Sequence, residues 1–420
     1  MSQSLSRHLP AVLKINPRLA LFALGATAAS GFGQTFFVSF FGAEIRQAFD
    51  LTHTAYGSLY SGATLCSALL LLRFGGLVDT CTLPRVTALA IGILAGGCLL
   101  VGFAPGALVL AAGFVCIRFG GQGMMSHIGM TTAARYFAAH RGRAVALAAM
   151  GFPLAEAVLP AGAALLLLWV GWRVPWVVGA GLLCLLILPV LTFLSRGAPS
   201  AHEVASKDHS EASPGTNLGT DRSRFSRRDV LRDPGYYLIL PATLLTPFTV
   251  TALFFHQMAF ADELGWSLEL LAAGFSVYAA CHLGALFVAG PMVDRLGAAR
   301  ALPLALVPIV TGLVLLASVP SPLIVYAYLG MVGATQGLAA TVSGAIWAER
   351  YGVLHLGAIR SMNQAVMVVS TAVSPILLGF FLDKHVGIAT LALWLAGCAA
   401  LAALLARLGA WLEGRKLGEA

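Results

Sequence analysis

The chain has 420 residues, 58% of them hydrophobic and 10% charged, with a formal net charge of +8. Soluble domains carry about 25% charged residues, so this composition excludes a water-soluble globule and indicates a polytopic protein embedded in a lipid bilayer. The positive charge is not a nucleic-acid footprint, because Arg and Lys fall in the short breaks between apolar runs, the pattern that encodes membrane topology, and no basic face with interleaved aromatics is present.

A spanning helix needs about 20 apolar residues. Arg7, Lys14 and Arg18 precede a first apolar run too long for a signal-peptide core, and no small-residue cleavage site ends it, so it reads as a retained span. Six spans are predicted at 18–41, 54–74, 86–104, 106–132, 144–169 and 174–195, and six more at 235–259, 269–290, 301–318, 321–346, 357–381 and 386–407. Between them, 196–233 is rich in Ser, Asp, His and Arg and cannot bury a core, so it reads as a linker. Its end, Arg222 to Arg232, suits a short basic helix on the membrane surface. The expected organisation is an all-α membrane protein: a six-helix bundle over 1–195, a linker over 196–233 and a second six-helix bundle over 234–420.

An even number of spans puts both termini on one side. Of the 26 Lys and Arg residues, all but Arg46, Arg173, Lys384 and the intramembrane Arg118 fall on that side. The positive-inside rule makes it cytoplasmic, and a bacterial inner membrane is the expected location. The seven cysteines lie in or beside apolar runs without a CxxC pair, so they read as small hydrophobes rather than a disulfide framework or zinc site. No Walker loop, HExxH or GxSxG is present, so neither ATP drive nor enzyme chemistry is expected, and no cofactor or metal.

The two halves repeat. Gly75-Gly-Leu-Val-Asp79 answers Gly290-Pro-Met-Val-Asp294, and Arg135-Tyr136 answers Arg350-Tyr351, both at an offset of 215 residues; Gln122-Gly123 answers Gln336-Gly337 at 214. Parallel repeats of this kind place a substrate site between the halves near mid-bilayer. The stretch Gly290-Pro-Met-Val-Asp294-Arg295-Leu-Gly297-Ala-Ala-Arg300 resembles the G-x-x-x-D-R-x-G-x-x-R signature of the major facilitator superfamily. The first copy departs from it, with Thr80 where Arg is usual and only Arg85 following. The resemblance implies the major facilitator fold, alternating access by a monomer, and gating by Gly75, Asp79, Gly290, Asp294, Arg295, Gly297 and Arg300. On the residues themselves, the two glycines would let a neighbouring helix approach. Asp79 and Asp294 would receive a helix N-terminus or one of Arg135, Arg143, Arg350 and Arg360.

Arg118 and Glu156 each stand alone about halfway along an apolar run. A charge at that depth costs roughly 2.5–3.5 kcal/mol on insertion scales, so it faces the protein interior. Either the two pair and tie helices together, or they act in transport. In the second case Arg118 offers a carboxylate a planar fork of donors, while Glu156 and His282 can exchange protons with the solute pathway. Gln34, Gln122, Tyr278, His282, Gln336, Asn363 and Gln364 are the remaining candidates to line a substrate site, while His127 and His256, nearer span ends, read as packing residues. Arg135-Tyr136-Phe137 with Arg141-Gly-Arg143-Ala-Val-Ala-Leu-Ala148, and Glu349-Arg-Tyr-Gly352 with Gly357 and Ser374-Pro375, are similar to the monocarboxylate porter and oxalate/formate antiporter group. That group often carries Arg in span 8, where this chain has Cys281-His282. The expectation is a small organic anion moved by secondary transport together with protons; an exporter of amphipathic compounds is the alternative.

Overall fold

A computed structural model describes residues 15–137, 141–199, 226–351 and 356–418. The N-terminal tail with Arg7 and Lys14, and most of the linker (200–225), lie outside the described residues. Twelve helices are long and apolar enough to span a membrane: α1 (Pro17–Ser39), α2 (His53–Thr80), α3 (Leu83–Gly102), α4 (Ala107–Tyr136), α5 (Arg143–Val170), α6 (Val174–Leu194), α7 (Pro234–Phe255), α8 (Leu268–Leu296), α9 (Ala298–Ser318), α10 (Ile324–Tyr351), α11 (Leu356–Asp383) and α12 (Ile388–Leu412). No strand occurs among the described residues. The observed spans match the apolar runs. However, α4, α8 and α10 continue past the predicted ends at residues 132, 290 and 346, and α2 passes 74 only after a break at Gly75 and Gly76. Hydropathy stops at the membrane surface, whereas the i to i−4 hydrogen-bond ladder continues through the polar residues beyond it.

The ends are set by local chemistry. Asn16 caps α1, its side chain accepting from Leu19 N at 3.1 Å, with Pro17 at the first helical position. Asp233 caps α7 in the same way, accepting from Gly235 N at 3.0 Å ahead of Pro234. Ser226 and Asp229 form a capping box on Arg227–Arg232, the short basic helix expected at the end of the linker.

The helices group into two compact units, Met1–Phe49 with Gly62–Gly215, and Asp50–Ser61 with Thr216–Ala420. The first turns of α2 belong to the second unit. There the Asp383 carboxylate accepts from His53 N at 2.9 Å, from Thr54 N at 2.8 Å and from the Thr54 hydroxyl, and so caps α2 from the end of α11. Close packing accompanies the cap: a Cβ on Gly57 would stand 2.6 Å from the Pro375 carbonyl, and one on Gly379 would stand 2.7 Å from the His53 carbonyl. Tyr56 stacks on Phe255 at 4.6 Å in the same cluster.

In the first unit the helices break where they cross. α1 tightens to a 3₁₀ turn over Ser30–Gly33, passes through an extended Gln34 (φ −83°, ψ 155°), and resumes at Thr35. α4 widens to a π-helical segment over Arg118–Met125, a stretch holding Gly120, Gly121 and Gly123. Gly33 and Gly121 let the two breaks touch backbone to backbone: a Cβ on Gly33 would stand 2.9 Å from Gln122 N and would overlap the Ile117 carbonyl.

Candidate functional site

Within the second unit, α7, α10 and α11 enclose a pocket of about 360 Å³, inside the usual range for small-molecule sites. Thr243, Thr246 and Pro247 come from α7, Gln336, Ser343 and Trp347 from α10, and Arg360, Asn363 and Gln364 from α11. Asn363 is fixed in place, accepting from the Tyr236 hydroxyl at 2.9 Å and donating to the Ile359 carbonyl at 2.9 Å. Thr246 is 2% exposed, and its hydroxyl oxygen has no hydrogen-bond partner among the described residues. Arg360 is exposed and donates to the Gly344 carbonyl, so the cation stands on the pocket wall. Pro247 has no N–H to give the Thr243 carbonyl one turn earlier, which leaves a further acceptor on this wall. The site therefore offers one cation, amides and hydroxyls in an otherwise apolar frame. That combination can hold the carboxylate of a small polar solute.

The other candidates divide between the two units. Tyr278 and His282, 1% and 5% exposed, lie in the packing of α8 against α10: a Cβ on Gly337 would stand 2.5 Å from the His282 carbonyl. Phe254 sits edge-on to Tyr278 at 5.0 Å. Neither residue lines the pocket of Gln336, Asn363 and Gln364. In the first unit Arg118 is 2% exposed and its Nη1 donates to the Gly33 carbonyl at 3.1 Å. The break in α1 removes that carbonyl from the helical ladder, since Phe37 N and Val38 N both donate to Gln34 instead. Gln34 and Gln122 are half-buried at the two breaks. Glu156 is 7% exposed in α5, on the helix that packs on the same turn: a Cβ on Gly31 would stand 2.6 Å from the Cβ of neighbouring Ala155. His256 is a packing residue, its Nε2 donating to the Pro375 carbonyl at 2.8 Å, and His127 lies 3.5 Å from the Thr131 hydroxyl.

The repeated loops differ in detail. Asp79 pairs with Arg135, which also donates to the Val78 carbonyl at 3.0 Å. Asp294 is exposed, and no described residue pairs with it. Its repeat counterpart of Arg135, Arg350, turns to Asp233 instead, with Nε at 3.2 Å and Nη2 at 3.1 Å. Glu349 caps α9 by accepting from Ala298 N at 2.6 Å, next to Gly297, whose φ of +76° suits glycine alone. Arg295 and Arg300 are exposed. No neighbouring helix packs on Gly75 or Gly290 among the described residues. Nothing stands within 4 Å of a Cβ on Gly290, and a Cβ on Gly75 would meet only Leu71 of its own helix. Gly75 and Gly76 mark a break in α2, whereas α8 runs unbroken through Gly290. Asp233, Thr246, Glu349 and Asp383 were not among the sequence candidates. Asp233 had a readable signal, an acidic residue directly before a helix-starting proline; Asp383 had none, because its partner lies more than 300 residues away.

A family model described as Major Facilitator Superfamily matches residues 23–281 and 239–418. No curated protein matches the chain. Among solved structures, a bacterial homolog to the human lysosomal transporter Spinster, inward-facing and unoccupied, is similar with a TM-score of 0.66 at 14% identity, covering 93% of this chain and 96% of that one. The occupied form of the homolog gives 0.64 at 16% identity, covering 94% and 96%. A mutant of the nucleoside transporter NupG gives 0.67 at 14% identity, covering 93% and 99%. At these identities the likeness shows the fold.

Proposed function

Because the chain belongs to the Major Facilitator Superfamily, we propose that it is a secondary transporter that moves a small, monocarboxylate-like organic anion across a bacterial inner membrane together with protons. The observation that carries this reading is the second-unit pocket, where Arg360 stands among Gln336, Gln364, Asn363 and the buried Thr246 hydroxyl. A guanidinium binds a carboxylate through paired hydrogen bonds, and amides and hydroxyls orient the rest of a polar solute. The contact of Arg118 with Gly33 supports a framework part for that residue, so the anion reading rests on Arg360. Glu156, a buried carboxyl between Pro153 and Pro160, is the proton carrier in this reading. Both termini are cytoplasmic by the distribution of Lys and Arg. The Asp79–Arg135 pair and the Asp294 loop serve as gates that open and close with the cycle, and one chain holds both halves of the machine.

The pocket also supports a second reading. Trp347 lines it beside uncharged amides, which suits a flat, polyhydroxylated solute such as a nucleoside; one structural neighbour is titled a nucleoside transporter. Counterflow in proteoliposomes against short carboxylates, a nucleoside and a cationic dye separates the two. Carboxylate exchange is expected, falling about tenfold to a hundredfold in Arg360→Gln, as loss of a charged hydrogen bond worth about 1.5–3 kcal/mol predicts. Nucleoside exchange indifferent to Arg360→Gln would overturn the anion reading, and dye exchange alone would favour export of amphipathic compounds. Glu156→Gln should keep exchange but lose uptake driven by a pH gradient; intact pH-driven uptake would remove Glu156 from the mechanism.

A further inference from the structure

A second pocket, of about 410 Å³, lies between α7, α11 and α12 of the same unit. Its lining includes Leu245, Phe248, Leu377, Phe381, Trp394 and Leu395, so it is almost wholly apolar. Leu244 of α7 lines both pockets and forms part of the wall between them. On α11 one stripe continues from the first pocket into the second: Gln364 and Met367 face the polar side, and Ser370 and Ser374 the apolar side, at the three- and four-residue steps that keep residues on one helix face. The wall also includes a weakened turn of α7, because Pro247 has no N–H for the Thr243 carbonyl directly beside Leu244.

We propose that the two pockets are one amphiphile site. The carboxylate end of the substrate sits on Arg360 and its amide neighbours, and an alkyl tail passes Leu244 into the apolar pocket. This rests on the reading that the Arg360 pocket takes an anion, and it narrows the substrate class to carboxylates carrying an aliphatic chain. The charge on one side and the apolar lining on the other match the two ends of such a molecule, and the shared Leu244 and the α11 stripe supply the continuity. A two-carbon acid occupies only the polar side.

The test is a homologous series of unbranched alkyl carboxylates, two to ten carbons long, competing for counterflow by the full-length protein in proteoliposomes. Apparent affinity is expected to rise about fourfold per added methylene, the equivalent of about 0.8 kcal/mol per buried CH₂, and to level off when the apolar pocket is full. Ser370→Phe fills that pocket and should flatten the series; Leu395→Trp is the second variant if the first misfolds. Arg360→Gln should weaken every member by a similar factor. If affinity is independent of chain length yet still depends on Arg360, the polar site stands, the apolar pocket belongs to bilayer lipid, and the inference is overturned. A chain-length series that survives both filling variants overturns it as well. If no carboxylate of any length competes, the anion reading itself fails.

Discussion

α1 and α4 of the first unit both leave regular helix where they touch, over Ser30–Gly33 and Arg118–Met125. The 215-residue offset of the repeat sets these stretches against Leu245–Phe248 in α7 and Gly333–Ala340 in α10, and there both helices run on unbroken. The break in α1 frees the Gly33 carbonyl, and a buried carbonyl without a donor is costly. Arg118 supplies the donor from within the unit. In the second unit the repeat has Val332 and Gly333 where Arg118 would fall, and in the matching stretch of α7 Pro247 leaves the Thr243 carbonyl, on a pocket-lining residue, without its helical donor. The cation of this unit, Arg360, is exposed beside that pocket. The two units thus differ. A buried charge in the first completes a broken helix, and a charge in the second stands exposed on a pocket wall.

The comparison breaks first, and most visibly, at Gly33. A side chain there overlaps the Ile117 carbonyl and crowds Gly121, all backbone that cannot rotate away. Gly33→Val should cost more than about 4 kcal/mol and yield no monodisperse peak in size-exclusion chromatography of a fluorescent fusion. Gly284→Val in α8, where nothing stands within 4 Å, should run as the wild type. Equal behaviour of the two would mean that the α1–α4 crossing is loose. The next largest contrast is between the two arginines. Arg118→Met leaves the Gly33 carbonyl unsatisfied, about 1–3 kcal/mol, and should lower the thermal midpoint in detergent. Arg360→Met should leave the midpoint within error and reduce transport instead. If Arg118→Met kept wild-type stability and lost only anion binding, Arg118 would return to the centre of the site.

Twelve helices and the repeat were legible in the sequence because they rest on apolar run length and on a few punctuating residues, and both act locally. The backbone partner of Arg118 was not. Arg118 and Arg360 are both single cations near polar amides in sequence, Arg118 with Gln122 and Arg360 with Asn363 and Gln364. What the sequence does not show is the carbonyl freed 85 residues away from Arg118 by a 3₁₀ turn. The Ser-Gly-Phe-Gly stretch marks weak helix propensity but does not say which backbone group will need a partner. Tyr278 and His282 are a similar case. Spacing by four correctly put them on one face, but periodicity cannot tell a face turned to a cavity from one turned to Gly333 and Gly337 of a neighbouring helix. Asp233 was hidden in the linker's charge even though Asp-Pro is a readable helix start.

The smallest expected contrast lies at the two helix starts. α1 is capped by neutral Asn16, and α7 by ionised Asp233. Burial alone would raise the Asp233 carboxyl. Hydrogen bonds from the Tyr351 hydroxyl at 2.8 Å, from Gly235 N and from Arg350, with the Arg350 charge, outweigh it and hold the group below the usual carboxylate range. A carboxylate depressed on folding stabilises the protein fully above its unfolded value, near 3.9, and the contribution fades as pH falls through the folded value. Because Asp233 is half-buried, the low end of the capping range applies, about 0.5–1 kcal/mol, which is roughly 1–4 °C for a unit of this size. Asp233→Asn should therefore melt a few degrees below wild type at pH 7, with the gap narrowing only below about pH 4. Asn16→Asp should show a smaller acid-dependent gain, since among the described residues the Leu19 amide alone bonds that side chain and no arginine pairs with it. A gap that stays constant from pH 7 to pH 3 would mean that the Asp233 side chain acts by shape, as Asn16 does, and that its charge and the Arg350 contact add nothing.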